Sequence, residues 1–456
     1  MKKKTLIEIA IIIILVVILG VLVKFTIESI DEKNLFQSSN QGMGQLNGSM
    51  PNQMSNNSSS ITYSGEKEIN EDATIEDGEY SSEKSDENAL LISGNINSTL
   101  SNIKVDKTGD SDGGDNTSFY GINSAILAKD GANLNLKNIN INTSATGANG
   151  VFCYGSSATT NNTSNDGTTV TISDSTITTT KDNSGGIMTT GGGTMNASNL
   201  TINTAGTSSA AIRTDRGGGN VNVDSGTYTT TGQGSPTIYS TADVKVANAT
   251  LIAKASEGII IEGKNSVSID NCNLTDSNTK LNGQSTTYKN IFLYQSMSGD
   301  ASNGTATFTA NNSKIITNNG DSLYVTNTTA IINLSENTIT NNDSTGNFLR
   351  IQKDSWGNSG SNGGDVTLNM TNQDVSGNIV VDSISTLDMS MKSNSYYEGT
   401  INENNEAKSI SLKLDNSSKI KLTGDSYITA LEDENSTYSN IDFNGYKLYV
   451  NGTAIN

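Results

Sequence analysis

The sequence predicts an all-β fold, a right-handed parallel β-helix of about 12 three-strand coils, preceded by one N-terminal transmembrane helix and a disordered linker. Three observations support this prediction. One phrase of alternating apolar residues recurs along the chain, a second phrase recurs before it, and the copies are too close together to contain crossover helices. The predicted domains are a transmembrane signal anchor over 1–27, a flexible linker over 28–88 and the β-helix over 89–456.

The first repeated phrase has two alternating apolar residues, then Asn or Asp, then one or two further apolar positions. One copy contains Val244, Val246, Asn248 and Leu251. Most steps between copies are about 21 to 26 residues, and longer steps contain inserted loops. Such a period is typical of stacked copies of one small unit, and the alternation predicts strands. The first apolar residues of the main copies stand at positions 134, 170, 195, 221, 244, 267, 308 and 332.

The second phrase is a small residue followed by an aliphatic one, and it gives each unit a third strand. The aliphatic residues should face the core, where each contributes about 1.5 to 3 kcal/mol. They are Ile126, Val151, Ile187, Ile212, Ile238 and Ile259. The Asn of the first phrase is predicted at a corner, because Asn tolerates the left-handed conformation and its amide can bond to the next Asn in the stack. This column comprises Asn102, Asn138, Asn199, Asn248, Asn271, Asn312 and Asn416.

The composition limits the classes of function. The 456 residues include 44 Gly, 2 Pro and only 5% aromatic residues, which suits a stack of short aliphatic layers better than an ordinary globule. A net charge of −19 argues against binding nucleic acid. Because there is no His, an imidazole base and a His-ligated metal are excluded. Cys153 and Cys272 fall several layers apart, so we expect two buried free thiols.

The N-terminal segment predicts the membrane anchor. Lys2, Lys3 and Lys4 precede a nearly continuous aliphatic run over 6–23 that is close to the length of a membrane-spanning helix. The positive-inside rule places the N-terminus in the cytoplasm and the β-helix outside the cell. Residues 5–8 also resemble the start of type IV pilin-like proteins, although a lysine replaces the glycine of that pattern. Residues 28–88 are rich in Asn, Ser, Gln, Gly and acidic residues, which is typical of a solvated tether.

The residues after the inward aliphatic positions should face outward and form an apolar and aromatic stripe beside charged groups. Sugar rings stack on such aromatic faces, and charged groups hydrogen-bond to hydroxyls, so the stripe is the candidate ligand surface. The alternatives are an ion pair at a glycine-rich corner, or a stripe hidden under the loop inserted after Gly155. The candidate residues are Phe152, Tyr154, Arg213, Asp215, Arg216, Tyr239 and Glu262.

Two further features could carry chemistry. Asp110, Asp112 and Asp115 lie in an acidic, glycine-rich stretch that could ligate Ca²⁺, but it lacks the full spacing of a calcium-binding loop and a solvated turn is the favoured explanation. Trp356 could contact a sugar or cover the edge of the core. Six charged residues on neighbouring layers could also form a lyase or hydrolase site, although their spacing does not require one. They are Arg213, Asp215, Arg216, Glu257, Glu262 and Lys264.

Residues 150–155, 184–193, 208–219, 235–243 and 256–266 resemble the adhesin-like parallel β-helix surface proteins of anaerobic Gram-positive bacteria. More distantly, residues 89–456 are similar to pectate-lyase-like β-helix carbohydrate-binding proteins. The resemblance implies exposure at the cell surface, polysaccharide binding and structural Ca²⁺, and it transfers no catalytic residue.

We therefore expect a membrane-anchored, extracellular, non-catalytic protein that binds a cell-surface glycan or another surface, and no nucleic acid. Two alternatives remain open. One is a lyase or hydrolase acting on acidic polysaccharide. The other is a structural subunit of a surface filament formed by self-association.

Overall fold

The computed structural model describes residues 61–111, 114–156 and 165–456, which fold almost entirely as β-strands. One short helix, α1, spans Asp115–Tyr120. Within these ranges no helix has the length and apolar character needed to cross a bilayer. The predicted anchor over 1–27 lies outside the described residues.

Long parallel sheets form a β-helical solenoid with three faces, as the two repeated phrases predict. Face 1 is a twelve-stranded parallel sheet in which each strand pairs with the equivalent strand of the next coil. Its strands are β1 (Gly65–Ile69), β3 (Asn88–Ser93), β5 (Ile126–Lys129), β8 (Val151–Tyr154), β11 (Ile187–Thr190), β13 (Ile212–Thr214), β15 (Ile238–Ser240), β18 (Ile259–Glu262), β21 (Lys289–Tyr294), β24 (Asp321–Thr326), β27 (Leu349–Ile351) and β30 (Ile379–Val381).

A twenty-stranded sheet turns a corner and forms face 2 and most of face 3. Face 2 contains β2 (Ala73–Ser82), β4 (Asn97–Lys107), β6 (Asn133–Lys137), β9 (Thr169–Ser173), β12 (Gly193–Thr204), β14 (Gly219–Thr230), β16 (Asp243–Ala247), β19 (Ser266–Asp270), β22 (Thr305–Asn311), β25 (Thr328–Ser335), β28 (Gly364–Thr371), β31 (Thr386–Lys392), β33 (Ser409–Leu414) and β36 (Ala430–Asp433). The long strands β2, β4, β12 and β14 continue around the corner into face 3.

Face 3 contains the second halves of those long strands and a series of short ones. The short strands are β7 (Asn140–Thr143), β10 (Thr176–Thr179), β17 (Thr250–Ala253), β20 (Asn273–Asp276), β23 (Lys314–Thr317), β26 (Thr338–Asn341), β29 (Asp374–Ser376), β32 (Tyr396–Gly399), β34 (Lys419–Leu422) and β37 (Ile441–Asp442). The last four form a separate sheet. At the C-terminal end β35 (Ser426–Ile428) pairs with β38 (Leu448–Val450), which pairs antiparallel with β39 (Thr453–Ala454).

The solenoid begins earlier in the chain than the sequence predicts. Strands β1 and β2 lie within the segment assigned to the linker, and they pair in parallel with β3 and β4. The boundary at residue 88 is therefore wrong. Charged residues occupy outward positions of β2, and half of the strand faces solvent at the first coil. The alternation of apolar and polar residues is therefore hard to recognise in its sequence.

The predicted core and corners are confirmed. The six inward aliphatic residues of face 1 are all buried in one core that runs through the solenoid. The first six asparagines of the corner column all have positive φ, between 49° and 56°. Their side chains bond along the stack, for example from Asn138 Nδ2 to Asn102 Oδ1 at 2.8 Å. Asn416 is an exception and lies in a turn after β33 without this backbone conformation. Cys153 and Cys272 are buried free thiols, as expected.

Candidate functional site

The predicted stripe faces outward from face 1, but it is not a surface. Met188 pairs with Phe152 on one side and Arg213 on the other, and Arg213 pairs with Tyr239, so the predicted register is confirmed. However, Phe152 is 0% exposed and Arg213 and Tyr239 are each 6% exposed. The expectation of an open ligand surface at these residues is wrong.

Inserted segments cover the stripe and make two small hydrophobic clusters outside the solenoid core. In the first cluster α1 leads into Gly121, which packs so closely on the Phe152 ring that a Cβ there would lie 2.6 Å from a ring carbon. In the second cluster Trp356 packs 5.2 Å from Phe292 and 5.3 Å from Tyr294, measured between ring centroids. Trp356 therefore covers the outer side of face 1.

A buried ion pair lies in the middle of the stripe. Arg213 Nη2 donates to Asp215 Oδ2 at 2.8 Å, and both side chains are almost fully buried. Burial raises the pKa of Asp215 to about 7, although Arg213 opposes the shift. Arg216 Nε donates to Asp300 Oδ1 at 2.7 Å, and its guanidinium lies 4.0 Å from the Phe119 ring centroid. These contacts fasten α1 and the 295–302 segment onto face 1.

Glu262 occupies the next part of the stripe and is also buried. Its Oε2 accepts hydrogen bonds from the hydroxyls of Tyr239 at 2.5 Å and Tyr294 at 3.1 Å, and its Oε1 accepts one from Ser296. Burial raises the pKa of Glu262, while the hydrogen bonds from Ser296 and Tyr239 oppose this. The carboxylate is held by protein donors and does not face solvent, so its evident role is to hold the covering segment.

The remaining sequence candidates do not come together as a site. Tyr154 is half-buried and its ring meets that of Tyr120 edge-on at 5.6 Å. Asp110 accepts a hydrogen bond from the backbone of Thr146, and Asp115 lies 3.8 Å from Arg216. Asp112 lies outside the described residues. Within the described ranges, no three His, Cys, Asp or Glu side chains are grouped as metal ligands.

A cleft of about 280 Å³ lies beside the covered stripe. The glycine-rich corner Gly217 to Gly219 forms one wall, and Asp243, Lys264 and Asp300 contribute the charged groups. Asp300 connects the cleft to the buried ion pairs through Arg216. The cleft therefore shares Asp300 with the ion pairs that hold the covering segments on face 1.

Face 2 has an open groove of about 340 Å³ that crosses successive coils. Thr171, Asn196, Asn222, Lys245 and Ser268 follow one another in register along its centre, one residue from each coil. All five are half-buried or exposed. We call these five residues the groove column. Adjacent coils lie about 4.8 Å apart, so the column presents a polar group at that interval.

The rim of the groove joins it to the asparagine corner. Asp224 Oδ1 accepts from Asn248 Nδ2 at 2.6 Å, and Asp270 Oδ1 accepts from Asn312 Nδ2 at 3.1 Å. Within the column, Asn222 Nδ2 donates to Asn196 Oδ1 at 3.0 Å. The rim carboxylates are therefore fixed by the corner, and the column residues point into the groove.

The groove column is absent from the sequence candidates, although the signal for it is present. The alternation that places Val170 and Ile172 inward also places Thr171 outward, and the same holds for Asn196 and Asn222 in their coils. Aligning the outward positions of the second strand would have found the column. What alternation cannot show is which face is covered by inserted segments.

No protein-family model matches this chain, and no curated protein or solved structure is similar enough to it to count as a match.

Proposed function

We propose that the chain is a non-catalytic carbohydrate-binding β-helix protein that holds a linear, neutral polysaccharide along the groove of face 2. The observation that carries the proposal is the groove column, an open row of hydroxyl, amide and ammonium groups repeated at each coil. A linear glycan likewise presents hydroxyls at a regular repeat along its length. A chain laid along the solenoid axis would therefore meet an equivalent set of hydrogen-bond partners at successive sugars.

The chemistry of the column suits sugar hydroxyls. Asn side chains both donate and accept, Thr and Ser hydroxyls do the same, and Lys245 adds donors. Ala197, Val223 and Val246 alternate with these groups along the strands, but their side chains are buried in the solenoid core, so the groove offers polar side chains and strand backbone rather than an apolar floor.

Charge favours a neutral ligand over an acidic one. Asp224 and Asp270 flank the column, Lys245 is its one cation, and the whole chain carries a net charge of −19. An acidic polysaccharide would approach a negative protein and a negative rim, which is unfavourable. The proposal also includes membrane anchoring through residues 1–27 and exposure outside the cell. Both of these parts rest on the sequence pattern alone.

The first test is a screen of the full-length chain in mild detergent against an array of neutral and acidic glycans. We expect retention on a family of neutral, linear glycans and weak or no retention on uronic-acid polymers. Binding confined to uronic-acid polymers would contradict the proposal. Two further readouts address the alternatives. Release of unsaturated sugars would identify a lyase, and regular fibres in electron micrographs would identify a filament subunit.

A further inference from the structure

The inward end of face 3 carries a column of threonines that is interrupted by one carboxylate. Thr179, Thr204 and Thr230 stand in register, followed by Ala253, Asp276 and Thr317. Thr179 and Thr204 each donate a hydrogen bond from Oγ1 to a backbone carbonyl, that of Ser184 or Ser209. A carboxylate at the same position has no proton to donate when it is ionised.

Asp276 is completely buried, and no side chain in the described part of the chain donates a hydrogen bond to its carboxylate, so the backbone N–H of Asn278 is the one donor beside it. Two amide oxygens near it are in the same situation. Asn278 Oδ1 and Asn290 Oδ1 are buried and likewise lack a hydrogen-bond donor among the described residues. Buried oxygens with too few donors are costly, so four of them that share one backbone N–H at one corner need an explanation.

The contacts of the two asparagines place these oxygens at one corner of a single coil, between β20 and β21, next to Thr317 of the following coil. Asn290 Nδ2 donates to Thr317 Oγ1 at 3.0 Å, and Thr317 is the direct neighbour of Asp276 in the sheet. Asn278 Nδ2 donates to the carbonyl of Lys289 at 3.0 Å, immediately before Asn290. A Cβ at Gly258 would lie 2.2 Å from Asn290 Oδ1, so this oxygen leans into the space left by a glycine.

The same contacts fix the orientation of the amides. Turning either amide over would place its oxygen against a backbone carbonyl, that of Lys289 for Asn278 or that of Ile316 for Asn290. Both Oδ1 atoms must therefore point away from those carbonyls. Apart from the backbone N–H of Asn278, the cluster consists of hydrogen-bond acceptors, and such oxygen atoms are the ligands that a hard metal cation prefers.

Glu257 is a second buried carboxylate that acts electrostatically on Asp276, and it also acts on Lys289, so Lys289 is the counter-charge of Glu257 and Asp276 has none of its own. The closest buried lysine, Lys289, donates from Nζ to Ser285 Oγ and lies 4.5 Å from the Phe292 ring centroid and 4.6 Å from that of Tyr324. Those rings belong to the covered outer side of face 1, so the ammonium is directed away from the core.

We propose that Asp276, Asn278 and Asn290 bind one alkali-metal cation, Na⁺ or K⁺, inside the solenoid. One carboxylate and one monovalent cation are neutral together, which a low-dielectric interior favours. A divalent cation would leave an uncompensated charge, and Ca²⁺ commonly takes six to eight oxygens. The competing occupant is a proton, because burial, with a smaller contribution from the Glu257 carboxylate, raises the pKa of Asp276 well above its usual range although the backbone hydrogen bond from Asn278 opposes the shift.

The experiment is thermal unfolding of the full-length chain in NaCl or KCl, compared with tetramethylammonium chloride at the same ionic strength and with CaCl₂. A ligand that binds only the folded state raises Tm with its concentration, so we expect a rise of about 2 °C for each tenfold increase in Na⁺ or K⁺. Two variants test the site. Asp276→Asn removes the charge, and Asp276→Thr restores the residue found in the coils on either side of Ala253 and Asp276. Asp388→Asn, at an exposed position of face 2, is the control for losing one negative charge.

We expect the specific effect of alkali cations on Tm to disappear in both Asp276 variants and to persist in Asp388→Asn. The same Tm in tetramethylammonium and alkali chlorides for the unaltered chain would overturn the proposal in favour of a bound proton or water. Stabilisation by Ca²⁺ alone, lost in Asp276→Thr, would overturn the monovalent assignment. If Asp276→Asn does not fold, Asp276→Thr decides the question by itself.

Discussion

Arg213 and Asp215 form an ion pair beneath the segments that cover face 1, with Nη2 2.8 Å from Oδ2 and only 7% and 3% of their side chains exposed. Neighbouring Arg216 reaches across to Asp300 in the covering segment 295–302. The residues that the sequence marks as a ligand surface therefore hold a cover in place.

Removing one partner of this buried pair should destabilise the fold strongly. Above the folded-state pKa of about 7, Arg213→Met leaves the ionised Asp215 carboxylate buried without its counter-charge, and we expect a loss of about 3 to 5 kcal/mol in the free energy of unfolding. The double variant Arg213→Met/Asp215→Asn should recover most of that loss. Urea unfolding followed by circular dichroism measures both. Lys254→Met, at an exposed position beyond β17, is the control, and a similarly small effect for Arg213→Met would refute the structural role.

The same pair predicts how stability depends on pH. The pKa of Asp215 is raised to about 7 in the folded state, from a usual value of 3.8, so the folded state binds the proton more tightly. This contribution is fully present below about pH 4 and is lost as the pH rises towards 7. In that window Asp215 alone should lower the free energy of unfolding by about 1.4 kcal/mol per pH unit.

The measurement for this effect is urea unfolding at several pH values between 4 and 8 for the unaltered chain and for Asp215→Asn. Subtracting the two curves removes the contribution of the other carboxylates. The difference should change across the window in the direction given above. A difference that is flat with pH would show that the carboxylate is already ionised in the folded state at low pH.

Most of the fold could be predicted from the repeat, because each coil has the same pattern of inward residues. Ile212 and Ile238 could be placed in the core from alternation alone, and Asn199 and Asn248 could be placed at corners from the need for positive φ. The cover could not be predicted in this way. Phe119 and Trp356 reach face 1 from insertions outside the repeat, and no period relates an insertion to the coil that it packs on.

The sequence could not show that the stripe is covered, and the reason is physical. Outward aromatic residues such as Tyr239 have the same alternation whether solvent or an inserted segment lies above them. A clue was available in the charges, since Arg213 beside Asp215 at successive outward positions is a combination suited to burial as a pair. The groove column, which includes Asn196 and Asn222, has no unusual composition. What distinguishes it from the stripe is that it lies in an open groove.

The asparagine corners predict a difference between two substitutions at one position. Asn248 has φ 56°, donates to Asp224 and accepts from Asn271. Asn248→Ala loses the side-chain bonds and forces Ala into the left-handed region, so we expect a loss of about 1 to 2 kcal/mol beyond that of Asn248→Gly. Thermal unfolding of the two variants gives the comparison. Equal stabilities would mean that the corner conformation does not constrain the residue.

The two cysteines should be unreactive in the folded chain. Burial raises the pKa of the Cys153 thiol to about 12 and raises that of Cys272 as well, so neither forms an appreciable thiolate near pH 8. A colorimetric thiol reagent should label neither residue in native buffer and both in denaturant. Rapid labelling without denaturant would show that these coils open locally.

The central claim is that the groove of face 2, and not the covered stripe of face 1, binds the glycan. Calorimetric titration with a glycan selected by the array tests it most directly, using the triple variant Asn196→Ala/Asn222→Ala/Lys245→Ala. The matched control is Asn203→Ala/Thr229→Ala/Lys254→Ala, which alters partly or fully exposed residues of the same coils on and beside face 3. Losing several hydrogen bonds of about 1 kcal/mol each should weaken binding about 100-fold in the groove variant and leave the control unchanged. Unaltered affinity in a correctly folded groove variant would contradict the claim.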